Sequence, residues 1–348
     1  METKVLQLTP EAIREAADAL RAGELVGIPT ETVYGLGANA LDENAVRSIF
    51  AAKGRPADNP LIVHVASLED AEPLCHISDI ARALAARFCP GPLTIIMPRK
   101  EIVPDVVTAG LDTVAVRVPA HPVAQALLRE CGLPVAAPSA NTSGKPSPTT
   151  AQHVYHDMNG KLPVILDGGE CEVGLESTVI TLAGDIPTVL RPGGVTPEML
   201  LEVLPEVRVA DSVLRPLQAG EKALSPGMMY QHYAPGGVLT MVSGRQENVE
   251  RVCKHLYHQA QSDGKTACIL AFDEHLAAYE GMQVLSIGTL SDPETISHKL
   301  FAVLRQLDEE GVDVMFSEIL PAEGLGLAIM NRLSRAAGFR TVDADKNE

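Results

Sequence analysis

Four cations stand at loop or strand-end positions in the first half of a strongly acidic chain: Lys53, Arg55, Arg117 and Arg191. Two of them lie in Lys53-Gly54-Arg55-Pro56-Ala57-Asp58-Asn59-Pro60, a loop stiffened by glycine and proline. A second polar loop, Pro138-Ser139-Ala140-Asn141-Thr142-Ser143-Gly144-Lys145-Pro146-Ser147-Pro148-Thr149, leaves an apolar strand and leads into a helix starting near Thr149. Small hydroxyls, a glycine and a lysine in that place suit phosphate oxygens, which backbone N–H groups and a helix dipole can hold. The spacing of a Walker loop is absent. Cations and loop together form an anion site suited to a nucleoside triphosphate. No Ser-His-Asp order, Cys-His pair or carboxylate cluster is apparent. Chemistry would then rest on positioning and charge stabilisation, with any Mg²⁺ carried on phosphate oxygens.

A third stretch, Ile28-Pro29-Thr30-Glu31-Thr32-Val33-Tyr34-Gly35-Leu36-Gly37, reads as the polar exit of a short buried strand, where open α/β sheets bind ligands. Strand Thr113-Val114-Ala115-Val116-Arg117-Val118 has period two, so Thr113 and Arg117 share a face. On that face Arg117 could grip a carboxylate with two hydrogen bonds. His64 sits among aliphatics in Leu61-Ile62-Val63-His64-Val65; by default such a histidine is a half-buried sheet residue.

The elements that must position these groups are marked by their ends. Thr9-Pro10-Glu11 opens a helix that Gly23 ends, and Asp42 caps a second that closes at Lys53-Gly54. Strands and helices mix in irregular order up to about residue 210, which favours an open twisted α/β sheet. Residues 211–237 read as an interdomain linker, rich in Pro and Gly but carrying Tyr230, His232 and Tyr233 as packing groups. From 238 to 348 strands and helices alternate as in a small parallel, Rossmann-like sheet. The expected division is thus 1–210, 211–237 and 238–348, two domains in 348 residues.

The net charge of -17 opposes a broad nucleic-acid footprint. Six scattered cysteines without CxxC spacing suggest reduced thiols and a cytoplasmic protein. No export segment and no membrane-length apolar run is read. The histidine pairs His153/His156 and His255/His258 lack the further ligands a zinc site needs.

Longer ordered motifs add a resemblance over nearly the whole chain. Pro29-Thr30-Glu31-Thr32-Val33-Tyr34-Gly35-Leu36-Gly37, Lys53-Gly54-Arg55-Pro56, Asn59-Pro60-Leu61, His64, Pro90-Gly91-Pro92-Leu93-Thr94, Arg117-Val118-Pro119 and Ala137-Pro138-Ser139-Ala140-Asn141 resemble the YrdC-type threonylcarbamoyl-AMP synthases. Ser225-Pro226-Gly227-Met228 through His232-Tyr233-Ala234-Pro235, with Ala328-Ile329-Met330-Asn331-Arg332, is similar to their two-domain branch. The resemblance implies a YrdC-like mixed sheet with helices, followed by the smaller Rossmann-like domain. It implies a nucleotidyltransferase that makes threonylcarbamoyl-AMP from L-threonine, bicarbonate or CO₂, and ATP with Mg²⁺, releasing pyrophosphate. The product would pass to a separate tRNA threonylcarbamoyl transferase, so this step needs no stable tRNA binding. Carried onto matching positions, Thr32, His64, Arg117, Ala137 and Ser177 would surround threonine. Lys53, Arg55, Asn59, Thr113, Ser139, Asn141, Ser147, Arg191 and Tyr230 would hold ATP, with Lys53 and Arg55 catalytic. One departure is Met228-Met229-Tyr230-Gln231, where the family often has lysines; Tyr230 and His232 are therefore expected to pack and hydrogen-bond rather than carry charge. Two other readings are weighed. Hydrogenase-maturation carbamoyltransferases contain similar motifs but need further segments for which this chain has neither length nor cysteine spacing. A non-catalytic RNA-binding role has the net charge against it.

Overall fold

The computed structural model describes residues 2–216 and 233–346, which divide into two compact units. The first comprises 2–143 and 147–213; the second comprises 144–146, 214–216 and 233–346. The protein is α/β in both.

The first unit is built on an eleven-stranded mixed sheet. Its spatial order is Lys4–Gln7, Val164–Asp167, Val26–Ile28, Gly35–Asn39, Val135–Ala136, Ile62–His64, Thr113–Arg117, Leu93–Pro98, Thr178–Thr181, Thr188–Arg191 and Arg208–Val209. The middle strands mix parallel and antiparallel pairing, so connections cross from one region of the sheet to another. One face carries the larger core, with Val63, Ile95, Val116 and Ile180 packed under helix residues such as Ile49 and Leu84. On the opposite face Ile62, Ile96, Ala115, Val179 and Leu190 form a small apolar floor.

Helix ends follow their local chemistry. Thr9 accepts from Ala12 N–H and Pro10 begins the helix Pro10–Arg21. Asp42 accepts from the N–H groups of Asn44 and Ala45 to start Glu43–Lys53, and Gly54 ends it in the left-handed region at φ +63°. Thr150 caps Ala151–Met158, which begins one turn's edge beyond the sequence reading. Gly35–Asn39, whose first three residues lie in the stretch 28–37 read from sequence as a polar strand exit, is a strand paired antiparallel to Val26–Ile28 and Val135–Ala136.

The second unit has a five-stranded parallel sheet, ordered Val284–Ser286, Ala267–Ala271, Val314–Glu318, Val238–Ser243, Thr341–Asp343. Helices Gln246–Ser262, Pro293–Glu309 and Leu325–Ala336 connect its strands. Tyr233 is buried there against Phe301, ring centroids 5.1 Å apart. Of the expected linker 211–237, residues 217–232, including Tyr230 and His232, lie outside the described residues.

Candidate active site

Strand pairing does the first part of the assembly. Arg117 ends its strand with His64 in register on one neighbour and Thr94 on the other. Val179 stands opposite Thr94, and Arg191 opposite Val179. In-register side chains of paired strands share a face, so His64, Arg117, Thr94 and Arg191 form a row above the apolar floor. Thr113 shares that face but opens the strand whose end is Arg117, about 13 Å away at the usual strand rise.

Arg117 is buried and its guanidinium is held from three sides. Nε donates to Gly91 O at 3.4 Å, Nη1 to Thr32 Oγ1 at 2.8 Å and Nη2 to Glu31 Oε1 at 2.6 Å. Thr32 Oγ1 lies 2.9 Å from Thr30 Oγ1, which donates to Val33 O and so closes the loop on itself. Burial pushes the Glu31 carboxyl up, but the adjacent Arg117 charge and hydrogen bonds outweigh it and hold the group below the usual carboxylate range. Its second oxygen, Oε2, is buried without a hydrogen-bond partner. His64 is pushed down to about 3 by burial first and by the Arg117 charge second, so its ring is neutral near pH 7. His64, Thr30, Gly35 and Ala137 line one small cavity whose remaining wall is apolar, including Ile28 and Leu128.

The far end of the row is a hydroxyl pair under an arginine. Ser177 Oγ lies 2.7 Å from Thr94 Oγ1, while Arg191 donates through Nε to Ser177 O and through Nη2 to Ser177 Oγ, both at 3.1 Å. Gly193 lets the turn after Arg191 press against Glu176–Thr178: a Cβ there would stand 2.5 Å from Glu176 O and 2.6 Å from Ser177 C. Glu176 in turn accepts from Ser147 Oγ at 2.5 Å, fixing the end of the polar loop.

The beginning of that loop is tied to two other segments. Leu36 N–H donates to Pro138 O, and Ala140 N–H to Tyr34 O. Lys53 Nζ, buried at the end of its helix, donates to Ser139 O and Asn141 O, each at 2.5 Å. Ser143 N–H returns a bond to Lys53 O, and Ser139 Oγ bonds Asn141 Oδ1 at 2.5 Å. Lys53 therefore clamps the loop while placing a positive charge beneath it. Arg55 Nη2 donates to Asn59 O at 3.3 Å and its guanidinium lies 5.9 Å from the Phe50 ring. Asn59 is fully buried, with both side-chain polar atoms lacking hydrogen-bond partners, the condition of an amide built to meet a ligand or a neighbour in another arrangement.

The structure thus gathers Thr32, His64, Arg117 and Ala137 around one end of the row, and Ser177 with Arg191 at the other. Lys53, Ser139 and Asn141 form a second group, with Arg55 and Asn59 on the loop that follows Lys53, and Ser147 at the polar loop's far end. Sequence reading singled out neither Glu31, Thr94 nor Glu176 as site residues. Glu31 stood inside a stretch already marked as polar, and a buried carboxylate in such a stretch needs a cation, which was its available signal. Among the described residues no three His, Cys, Asp or Glu side chains converge as a metal cage would require, and no helix is long and apolar enough to cross a membrane.

Comparison with known proteins extends this geometry. The family model described as telomere recombination, covering Sua5, YciO and YrdC, matches residues 18–193. A second model, described as the threonylcarbamoyl-AMP synthase C-terminal domain, matches residues 195–338. The chain is 49% identical over 331 residues to the threonylcarbamoyl-AMP synthase of Pyrococcus abyssi, covering 95% of each. It is 47% identical over 345 residues to the Bacillus subtilis protein of the same name, covering 98% of this chain and 97% of that one. The crystal structure of P. abyssi Sua5 complexed with L-threonine matches with a TM-score of 0.92 and 47% identity, over 98% of this chain and 99% of that one.

Proposed function

We propose that this chain, which belongs to the threonylcarbamoyl-AMP synthase family, joins L-threonine, bicarbonate or CO₂, and ATP into threonylcarbamoyl-AMP, with threonine seated on Arg117. The enzyme class is an ATP-using adenylyltransferase that acts at the first step of threonylcarbamoyl-adenosine synthesis. The observation that carries the assignment of threonine is Arg117 itself: a buried guanidinium beside a hydroxyl, a neutral imidazole and a small apolar wall. A carboxylate matches the guanidinium, a β-hydroxyl matches the hydroxyl and imidazole, and a methyl group matches the apolar wall.

In the reaction the threonine ammonium gives one proton to water, the free amine bonds to the carbon of CO₂ as a C=O π bond opens onto oxygen, and the nitrogen gives a second proton to water to leave a carbamate. A carbamate oxygen then attacks the α-phosphorus of ATP, and the bond from that phosphorus to the bridging oxygen breaks as pyrophosphate leaves. Ser139, Asn141 and Ser147 present the loop to the phosphates, Arg191 stands over Ser177 beside it, and Asn59 offers its unmet amide. Lys53 and Arg55 supply the positive charge that stabilises the leaving group, Lys53 by holding the loop at Ser139 O and Asn141 O. Thr113 completes the nucleotide contacts in this reading among the described residues. Mg²⁺ fits the oxygen donors at hand: it would be carried on the phosphate oxygens, with Ser147 and Glu176 at the loop as the nearby oxygen donors. When bound, it neutralises charge on the phosphates.

The acidic chain supports hand-over of the product to a separate tRNA-modifying transferase rather than tenure of tRNA here. Six unpaired cysteines support a reducing, cytoplasmic setting. The test is pyrophosphate release from ATP and bicarbonate, with L-threonine, with serine and with neither. Release that requires threonine and bicarbonate is the expected result; threonine-independent release, or none despite ATP binding, overturns the reading.

A further inference from the structure

We propose, resting on the reading of Arg117 as the partner of the threonine carboxylate, that Glu31 binds the substrate's α-ammonium group. An α-amino acid arrives as a zwitterion, and its two charges hang from the same carbon. Whatever receives the ammonium must therefore stand beside whatever receives the carboxylate. Glu31 does: its Oε1 is 2.6 Å from Arg117 Nη2, with side chains only 7% and 4% exposed.

Hydrogen-bond capacity on both partners is left over in matching amounts. A guanidinium has five N–H groups, and three of Arg117's are used, on Gly91 O, Thr32 Oγ1 and Glu31 Oε1, which leaves two for a carboxylate. Glu31 Oε2 is buried and has no hydrogen-bond partner, leaving an anionic acceptor for an ammonium. Buried polar atoms are nearly always bonded, so an orphan carboxylate oxygen beside the guanidinium that receives the substrate carboxylate calls for a partner. The nearby alternatives are weaker. Thr32 Oγ1 already meets Arg117 and Thr30 Oγ1. Ser177 Oγ already meets Thr94 and Arg191. His64 Nδ1 also lacks a partner, but the ring is neutral and offers no charge to a cation.

A seat with Arg117 alone would leave the ammonium desolvated and unpaired. The pair instead answers each charge of the zwitterion with its opposite while keeping the site neutral before binding. Glu31 thereby fixes the nitrogen that is to be carboxylated.

The experiment uses the full-length protein and two ligands, L-threonine and 3-hydroxybutyrate, which keeps the carboxylate, hydroxyl and methyl group but has hydrogen in place of the amine. Calorimetry on the unaltered protein should show threonine bound at least tenfold more tightly. Glu31→Gln should weaken threonine about 10- to 100-fold, the range for a lost charge-assisted hydrogen bond, and leave 3-hydroxybutyrate unchanged or tighter. Glu31→Asp should recover part of the threonine affinity. Equal weakening of both ligands in Glu31→Gln would mean that Glu31 acts only through Arg117, and sinks the proposal. Should that variant fail to fold, equal affinity of the two ligands for the unaltered protein sinks it as well. Failure of the unaltered protein to bind either ligand would instead strike the reading of Arg117, and this proposal with it.

Discussion

Each unit buries a glutamate, and the two are treated in opposite ways. Glu318 ends a central strand of the second unit and is 1% exposed. Its Oε1 accepts from Tyr279 Oη at 2.7 Å and Gln246 Nε2 at 3.1 Å. Its Oε2 meets His275 Nδ1 at 2.8 Å and accepts from Phe272 N–H at 3.2 Å. Four partners from two segments saturate it, so Glu318 ties the loop after Ala267–Ala271 and the start of Gln246–Ser262 to its own strand. Glu31, in the first unit, has one oxygen on Arg117 and the other on nothing. A carboxylate that serves only architecture can be fully bonded. One that awaits a ligand keeps capacity in hand, at a cost in stability that the rest of the fold must cover.

The largest effect should come from breaking the first pair. Arg117→Ala should raise the threonine KM by two to three powers of ten while changing kcat less, because the carboxylate alters little during the reaction. It should also destabilise the protein by about 3–5 kcal/mol, as Glu31 would be left buried and unpaired. Steady-state kinetics with denaturant unfolding would check both, and an unaltered KM would remove Arg117 from the threonine site.

Glu318→Gln separates the two roles from the other side. An amide cannot accept from every donor now around the carboxylate, so stability should fall by about 3 kcal/mol in urea titration. The threonine KM should not move. A raised KM would show that Glu318 is coupled to catalysis after all, and the contrast between the two glutamates would fail.

A smaller effect follows from pH. His64 titrates near 3 in the folded protein and near 6.5 when unfolded, so between those values the unfolded chain binds the extra proton. Stability is therefore lost as pH falls, by roughly 3 kcal/mol from pH 6.5 to 4 on this group alone. His64→Gln should flatten that part of the profile. If the slope between pH 6.5 and 4 stayed the same, His64 would not be held neutral by its surroundings.

Some of this was legible residue by residue. Thr9, Asp42 and Gly54 mark helix ends because capping is settled within a few residues of chain. The alternation around Val114 and Val116 put Arg117 on one face of its strand before any fold was known. Gly35–Asn39 was not legible as a strand, because its glycines have little strand preference and its pairing with Val26–Ile28 and Val135–Ala136 comes from tertiary context. Lys53 was read as a cation for phosphate. Its position on the last turn of a helix that Gly54 ends also suits carbonyl oxygens, and Ser139 O and Asn141 O accept from it.

By itself, then, the sequence determined the α/β class, the helix ends, the cations and polar loops, and a family resemblance carried by contiguous motifs. All of these are local: propensity, periodicity and capping act over a few residues. The tertiary structure alone decided that His64, Thr94 and Arg191 line up with Arg117, and that Glu31, 86 residues away in the chain, closes on its guanidinium. Register between distant strands sets those contacts, and register depends on the sum of core packing across the whole sheet rather than on any one stretch of chain.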